Sequence, residues 1–196
     1  MLTKSQKTKQ RVLEAALSLL ESGEPGKVRM ADIAKQADIT RQALYLHYPN
    51  RAELLIATTR YLDEVNGIDD LLRPSREAKT GVERLDHFID VWGNYMPKVY
   101  GIVRALIRVY DTDEAAAAAW DDRKTAVRHG CAAITRTLKQ DGLLVPKQQD
   151  ATDILTMLLS LQNWEQLTQE DGWSQSKYLK QIKHISKLSL IGRGVD

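Results

Sequence analysis

The sequence predicts an all-α protein: an N-terminal three-helix domain containing a helix-turn-helix, followed by a larger helical region, about nine helices in total. Three observations predict it. Apolar residues recur at i, i+3, i+4 and i+7 along most of the chain. Proline and glycine are few and stand mostly where those stripes end. The stretch from Met30 to Arg51 reads as two short helices with a tight break between them.

The first helix is expected from about Thr3 to Ser22, where Val12, Leu13, Ala16, Leu17, Leu19 and Leu20 give a broad buried stripe. Gly23 and the Glu24-Pro25-Gly26 cluster stop it. Met30, Ile33, Ala34 and Ala37 form the stripe of the second helix. The third opens on Thr40, whose hydroxyl can cap the free amides of the first turn. Leu44 and Tyr48 fall on one side of that helix, while Arg41, Gln42 and Tyr45 fall toward the other. Pro49 ends it and Asn50 caps the next, expected over residues 51–73 with Gly67 weakening it midway. Arg73-Pro74-Ser75 marks the boundary to the second region.

Roughly five more helices follow. Leu85, Phe88, Ile89, Trp92, Tyr95 and Met96 trace one face, and Pro97 is expected to break or bend the chain. Val99 to Tyr110 traces the next face. Glu114 to Gln140 is an alanine-rich helix ended by Asp141-Gly142. Gln148 to Gln169 is apolar on two sides, and the last helix runs from Ser174 to Ile191. The domains are therefore set at 1–50, a connecting helix at 51–73, and 76–192.

Composition fits a folded chain: 43% hydrophobic and 28% charged over 196 residues. The net charge of +2 is unevenly spread. Up to Arg60 there are ten basic and six acidic side chains, so the N-terminal part is the basic one. That asymmetry suits a polyanionic partner. Cys131 is the single cysteine, which excludes an internal disulfide and a cysteine-based zinc cluster. The polar, basic start and the absence of a long apolar run point to the cytoplasm.

A short helix with one face for a scaffold and Arg, Gln and Tyr on the other suits a duplex groove. Arg41 stands in its first turn and can reach both acceptors of a guanine; Gln42 suits adenine; Ala43 leaves room for a thymine methyl. Arg51 begins the following helix, where its cation and the helix amides can meet a phosphate. Lys4, Lys7 and Lys9 can follow the backbone from the N-terminus, as can Arg29 near the second helix.

Lys9-Gln-Arg-Val-Leu-Glu-Ala-Ala-Leu, then Met30-Ala-Asp-Ile-Ala, then Thr40 to Leu55 resemble the N-terminal region of the TetR/AcrR family of transcriptional regulators. The resemblance covers about the first third of the chain. It implies a dimer whose helix-turn-helix binds an operator, and a larger domain that takes a small effector. It also implies phosphate contacts for Tyr45 and His47. The chain departs from the pattern at Asp38, where the turn usually carries glycine. It departs again at Val28 and Arg29, where a Ser or Thr cap is usual.

One such helix reads few base pairs, so a two-fold homodimer on a roughly palindromic operator is expected. Ile154, Leu158, Leu161, Tyr178, Ile182 and Ile185, in the last two long helices, are its candidate interface. Trp92, Tyr95, Met96, Tyr110, Trp120 and Trp164 are candidates for an apolar effector wall, with Arg104 and Arg123 as orienting charges. Aromatic walls admit flat or cationic compounds. Against an enzyme stand the missing phosphate loop, His-Glu-x-x-His motif and nucleophile elbow. The four histidines are scattered, and Asp86 with Asp90 reads as a solvated acidic face rather than a metal pair. No cofactor, metal or catalytic residue is expected. A helical protein-interaction adaptor is the alternative, and a small helical enzyme a more remote one.

Overall fold

A computed structural model of the protein describes residues 3–22 and 28–192. Gly23 to Gly26, expected to stop the first helix, lie outside the described residues. Ten helices occupy the rest: α1 (Lys4–Glu21), α2 (Met30–Gln36), α3 (Arg41–His47), α4 (Arg51–Val65), α5 (Ile68–Glu77), α6 (Gly81–Arg108), α7 (Glu114–Gln140), α8 (Gln148–Leu158), α9 (Leu161–Glu165) and α10 (Gln175–Leu190). There is no strand among the described residues, only an isolated antiparallel bridge between Leu144 and Ile191. No helix among them is long and apolar enough to cross a membrane.

The helix ends are chemically defined. Thr3 and Gln6 form a reciprocal capping box on α1. Thr40, Asn50, Ser160 and Ser174 each accept an amide hydrogen at the start of α3, α4, α9 and α10. Gly142, at φ +72°, closes α7 in the left-handed conformation that the Asp141-Gly142 pair foretells.

Three stretches differ from the periodic reading. Residues 51–73 form two helices rather than one, parted where Gly67 takes φ +66°. Pro97 does not interrupt α6, and Pro74 likewise sits inside α5. A proline deletes one backbone donor, and flanking turns with enough packed surface carry the helix past it. Residues 148–169 are split at Leu159. There Ser160 caps the Asn163 amide at 3.2 Å, and the Asn163 side-chain amide donates to the Met157 carbonyl at 2.5 Å. Both sides of the break are thereby satisfied, which apolar spacing alone does not register. After α9 the chain continues as a wide π turn over Gln166–Glu170.

The chain divides into two compact units, Met1–Ile68 with Val99–Lys124 and Asp69–Lys98 with Thr125–Asp196. In the first, α1 packs on α2 and α4, and α2 on α3. Val12, Ala16, Leu20, Ile33, Leu44, Leu54 and Leu55 are its buried centre. In the second, Leu85, Ile89, Ile134, Leu138, Leu155, Trp164, Tyr178 and Ile182 are buried. Asp86 and Asp90 of α6 pair with Lys187 and Lys183 of α10, each at 2.7 Å. The partners advance in opposite directions along the two helices, so these helices run antiparallel. Burial pushes the Cys131 thiol up to about 12, so this cysteine is an inert core residue.

Gly81 begins α6 against α7. Its amide donates to Asp141 at 2.6 Å, and an added Cβ would lie 2.8 Å from the Leu138 backbone nitrogen. Gly81→Ala should therefore cost about 1–3 kcal/mol, the usual range for overpacking. A thermal melt checks it, and an unchanged midpoint would show that the α6–α7 approach is looser than described.

Candidate nucleic-acid interface

The interface is built from the scaffold outward. Leu44 is fully buried and Tyr48 is 9% exposed. Burial also raises the Tyr48 phenol above its ordinary range. These two residues fix the rotation of α3. Arg41, Gln42, Tyr45 and Leu46 are consequently exposed, with Ala43 and His47 half-buried at the margins. Arg41 lies over the Tyr45 ring, 5.7 Å from its centroid. That stacking supports both side chains in an extended, outward pose.

The turn before α3 keeps its geometry without glycine. Asp38 adopts φ +51°, in the left-handed region that a short polar side chain tolerates. The Ile39 amide donates to the Ala34 carbonyl at 3.0 Å and pins the turn to α2. Arg29 occupies the N-cap position of α2 with no side-chain cap, as Val28-Arg29 implies. Its side chain is exposed, and Lys4, Lys7 and Lys9 are exposed on α1.

Arg51 is placed differently from its sequence reading. Its Nη1 donates to both oxygens of Asp113, at 2.6 and 2.8 Å, and its Nε donates to the Val28 carbonyl at 2.6 Å. One guanidinium thus ties the start of α4 to the start of α2 and to the turn before α7. Asp113 also accepts from the Ala115 and Ala116 amides, both at 3.1 Å, which makes it the cap of α7. Burial raises its carboxyl pKa, but the Arg51 hydrogen bond, the two amides and the Arg51 charge outweigh burial and hold it below the usual carboxylate range.

Farther along, Arg60 pairs with Asp122, and Asp63 with Arg123. The partners advance together along the two chains, so α4 and the first turns of α7 run side by side in one direction. Asp113 is recognisable in the sequence as a helix start; its pairing with a residue sixty-two positions earlier has no local signal. The same holds for Asp63 and Asp122.

The candidate effector residues fall in both compact units. Trp92, Tyr95, Met96 and Trp164 are buried in the second, while Trp120 is buried and Tyr110 half-buried in the first. Tyr110 donates to Asp121 at 3.0 Å, Arg104 donates to the Tyr100 hydroxyl at 2.8 Å, and Arg123 is held by Asp63 and Asp122. Of the candidate dimer residues, Leu158, Leu161, Tyr178 and Ile182 are buried within the single chain. Ile154 is half-buried and Ile185 exposed. Met157 (57% exposed) and Leu188 (69%) are apolar residues on α8 and α10 that the sequence reading did not single out for an interface. No group of three or more metal-binding side chains occurs among the described residues.

α1, α2 and α3 thus form a helix-turn-helix arrangement in which α3 is exposed on the side away from Leu44 and Tyr48. Residues 12–58 match the family model described as bacterial regulatory proteins, tetR family. Over 81 residues the chain is 33% identical to the HTH-type transcriptional regulator TtgR of Pseudomonas putida, covering 41% of this chain and 37% of that one. The chain spans less than half the length of the curated relatives it matches. Among solved structures it is similar to NalD, the secondary repressor of the MexAB-OprM multidrug efflux pump in Pseudomonas aeruginosa. That likeness has a TM-score of 0.70 at 19% identity, over 97% of this chain and 100% of that one. It is similar too to a transcriptional regulator from Saccharomonospora viridis in complex with choline, with a TM-score of 0.70 at 16% identity over 94% and 98% of the two chains. Over residues 12–58 the chain is thus similar to the tetR family of bacterial regulatory proteins, and its fold is similar to that of these solved regulators.

Asp113→Asn should retain the cap but remove the carboxylate charge that the half-buried Arg51 donates to. The expected loss is about 1.5–3 kcal/mol at neutral pH. Because the folded pKa of Asp113 is depressed, its contribution is full above the unfolded value and fades as pH falls through the folded one. Denaturant unfolding of both proteins should show curves that differ at pH 7 and converge in strong acid. A gap that persists in acid would locate the effect elsewhere.

Proposed function

We propose that this protein is a dimeric, cytoplasmic transcriptional repressor that binds a roughly palindromic operator and leaves it when a small molecule binds. The observation that carries the proposal is the setting of α3: Leu44 and the following Tyr48 face the core, and Arg41, Gln42, Tyr45 and Leu46 are left outward. Residues 1–50 read DNA, 51–73 connect, and 76–192 hold the effector and the partner subunit. Arg41 and Gln42 read base edges, with Ala43 beside them; Thr40 caps the reading helix; Tyr45, His47, Arg29 and Lys4 meet phosphates. Arg51 serves here as a frame residue, since its guanidinium is engaged by Asp113 and Val28.

Binding by two subunits requires reading helices about 34–36 Å apart, or a multiple of that. An effector that prefers a conformation with another spacing shifts the balance by its differential affinity alone. The ion pairs between α4 and α7 give a route: a displaced α7 carries α4 with it. The similar Saccharomonospora viridis regulator is known in complex with choline. That supports an apolar, aromatic effector site able to take a cation. The dimer surface centres on the exposed Ile185 and includes the exposed Leu188 on the same helix and Met157 on α8.

Selection of bound duplexes from a random pool tests the proposal. An enriched palindrome supports it; no enrichment, or affinity indifferent to salt, contradicts it. At the selected site, Arg41→Ala should cost about 1–3 kcal/mol and relax base choice at one position per half-site. Equal weakening on cognate and random duplexes would remove Arg41 from base reading. Leu188→Asp should yield a folded monomer in sedimentation, and a variant that stays dimeric would place the interface on other helices.

A further inference from the structure

Leu46 is the most exposed large apolar residue among the described ones, at 83%. A lone exposed leucine needs no explanation on an ordinary surface. This one stands on the reading helix. Successive helical residues turn by about 100°, so with Leu44 and Tyr48 marking the inward direction, Gln42 and Leu46 share the opposite side, one turn apart. They form the crest of α3. Arg41 and Tyr45 flank the crest on one side, and the half-buried Ala43 and His47 on the other.

We propose that Leu46 is a base-reading residue that selects thymine by packing on its 5-methyl group. The inference rests on the duplex-binding reading above and deepens it. If α3 enters a major groove, its crest goes deepest and its flanks meet the walls. Arg41 and Tyr45 bring donors that suit phosphates and base acceptors; Leu46 brings none. A leucine against a phosphate would strip water from an anion and return nothing. On the groove floor the one apolar group that projects is the thymine methyl. Gln42, one turn back, suits the adenine N6 and N7 pair. The crest therefore specifies two A·T pairs, one through a hydrogen-bonded purine and one through a methyl.

Deoxyuridine removes the methyl and nothing else. The full-length protein is titrated with its selected duplex and with a series in which each thymine in turn is replaced by deoxyuridine, alongside Leu46→Ala. Because Leu46 is exposed, the variant should keep the wild-type helical signal and melting midpoint. The wild type should lose about three- to fivefold in affinity at one thymine per half-site, the worth of one buried methyl-sized group. Leu46→Ala should bind the unmodified duplex more weakly and be indifferent to deoxyuridine at that position. A wild type insensitive to every replacement, or a variant that retains the same sensitivity, overturns the assignment while leaving duplex binding intact. Failure of the wild type to prefer any duplex over random DNA overturns the regulator reading itself, and this inference with it.

Discussion

Everything outward on α3, the proposed reading helix, depends on what is inward. Seven residues are too few to form a helix alone in water. The helix exists because Leu44 and Tyr48 are buried where α3 packs on α2, and because Thr40 caps its first turn. Those anchors also determine rotation. A slip of one residue would turn the helix by about 100° and bring one flank, Arg41 and Tyr45 or Ala43 and His47, to the core in place of Leu44 and Tyr48. The apolar contact thus supplies stability and also decides which side chains face a partner. In the proposed duplex complex, the face that recognises bases is set by packing before any nucleotide is present.

A second constraint joins this head to the rest of its unit. Arg51 binds the Val28 carbonyl and both oxygens of Asp113, while Asp113 caps α7. The joint is half-buried, with side-chain exposures of 21% and 15%, so solvent screens it less than the Arg60–Asp122 pair nearby. Charged hydrogen bonds in such a setting hold direction as well as distance. The start of α4 and the start of α7 are therefore fixed to each other at one end and joined by further ion pairs over the first turns of α7. In the proposed switch, a displaced start of α7 moves the start of α4 with it.

Much of this was legible in the sequence. The period-3.6 stripes gave the helices, and α7 has the bounds that its alanine-rich run and Asp141-Gly142 imply. The capping hydroxyl of Thr40 and the left-handed Asp38 were readable because each is a local property of one side chain. The breaks were harder. The split at Leu159 depends on two polar side chains satisfying a carbonyl and an amide, and apolar periodicity does not encode that. Prolines 74 and 97 mark helix ends by rule and do not end them here. Long-range pairs were invisible: Arg51 reads as a phosphate ligand until Asp113 is seen beside it. Two-sided apolar helices likewise cannot announce which side meets the monomer's own core. Tyr178 and Ile182 proved to be core, and Met157 and Leu188 exposed.

The central claim is that the crest of α3 lies among the bases of a duplex. A photoreactive side chain placed at Gln42 tests it most directly, with the same group at Met157 as the comparison. Irradiation of the protein with its selected duplex should join position 42 to bases within the half-site, while position 157 should give no adduct. Adducts in equal yield at both positions, or none from position 42 under conditions where the duplex is bound, would contradict the account.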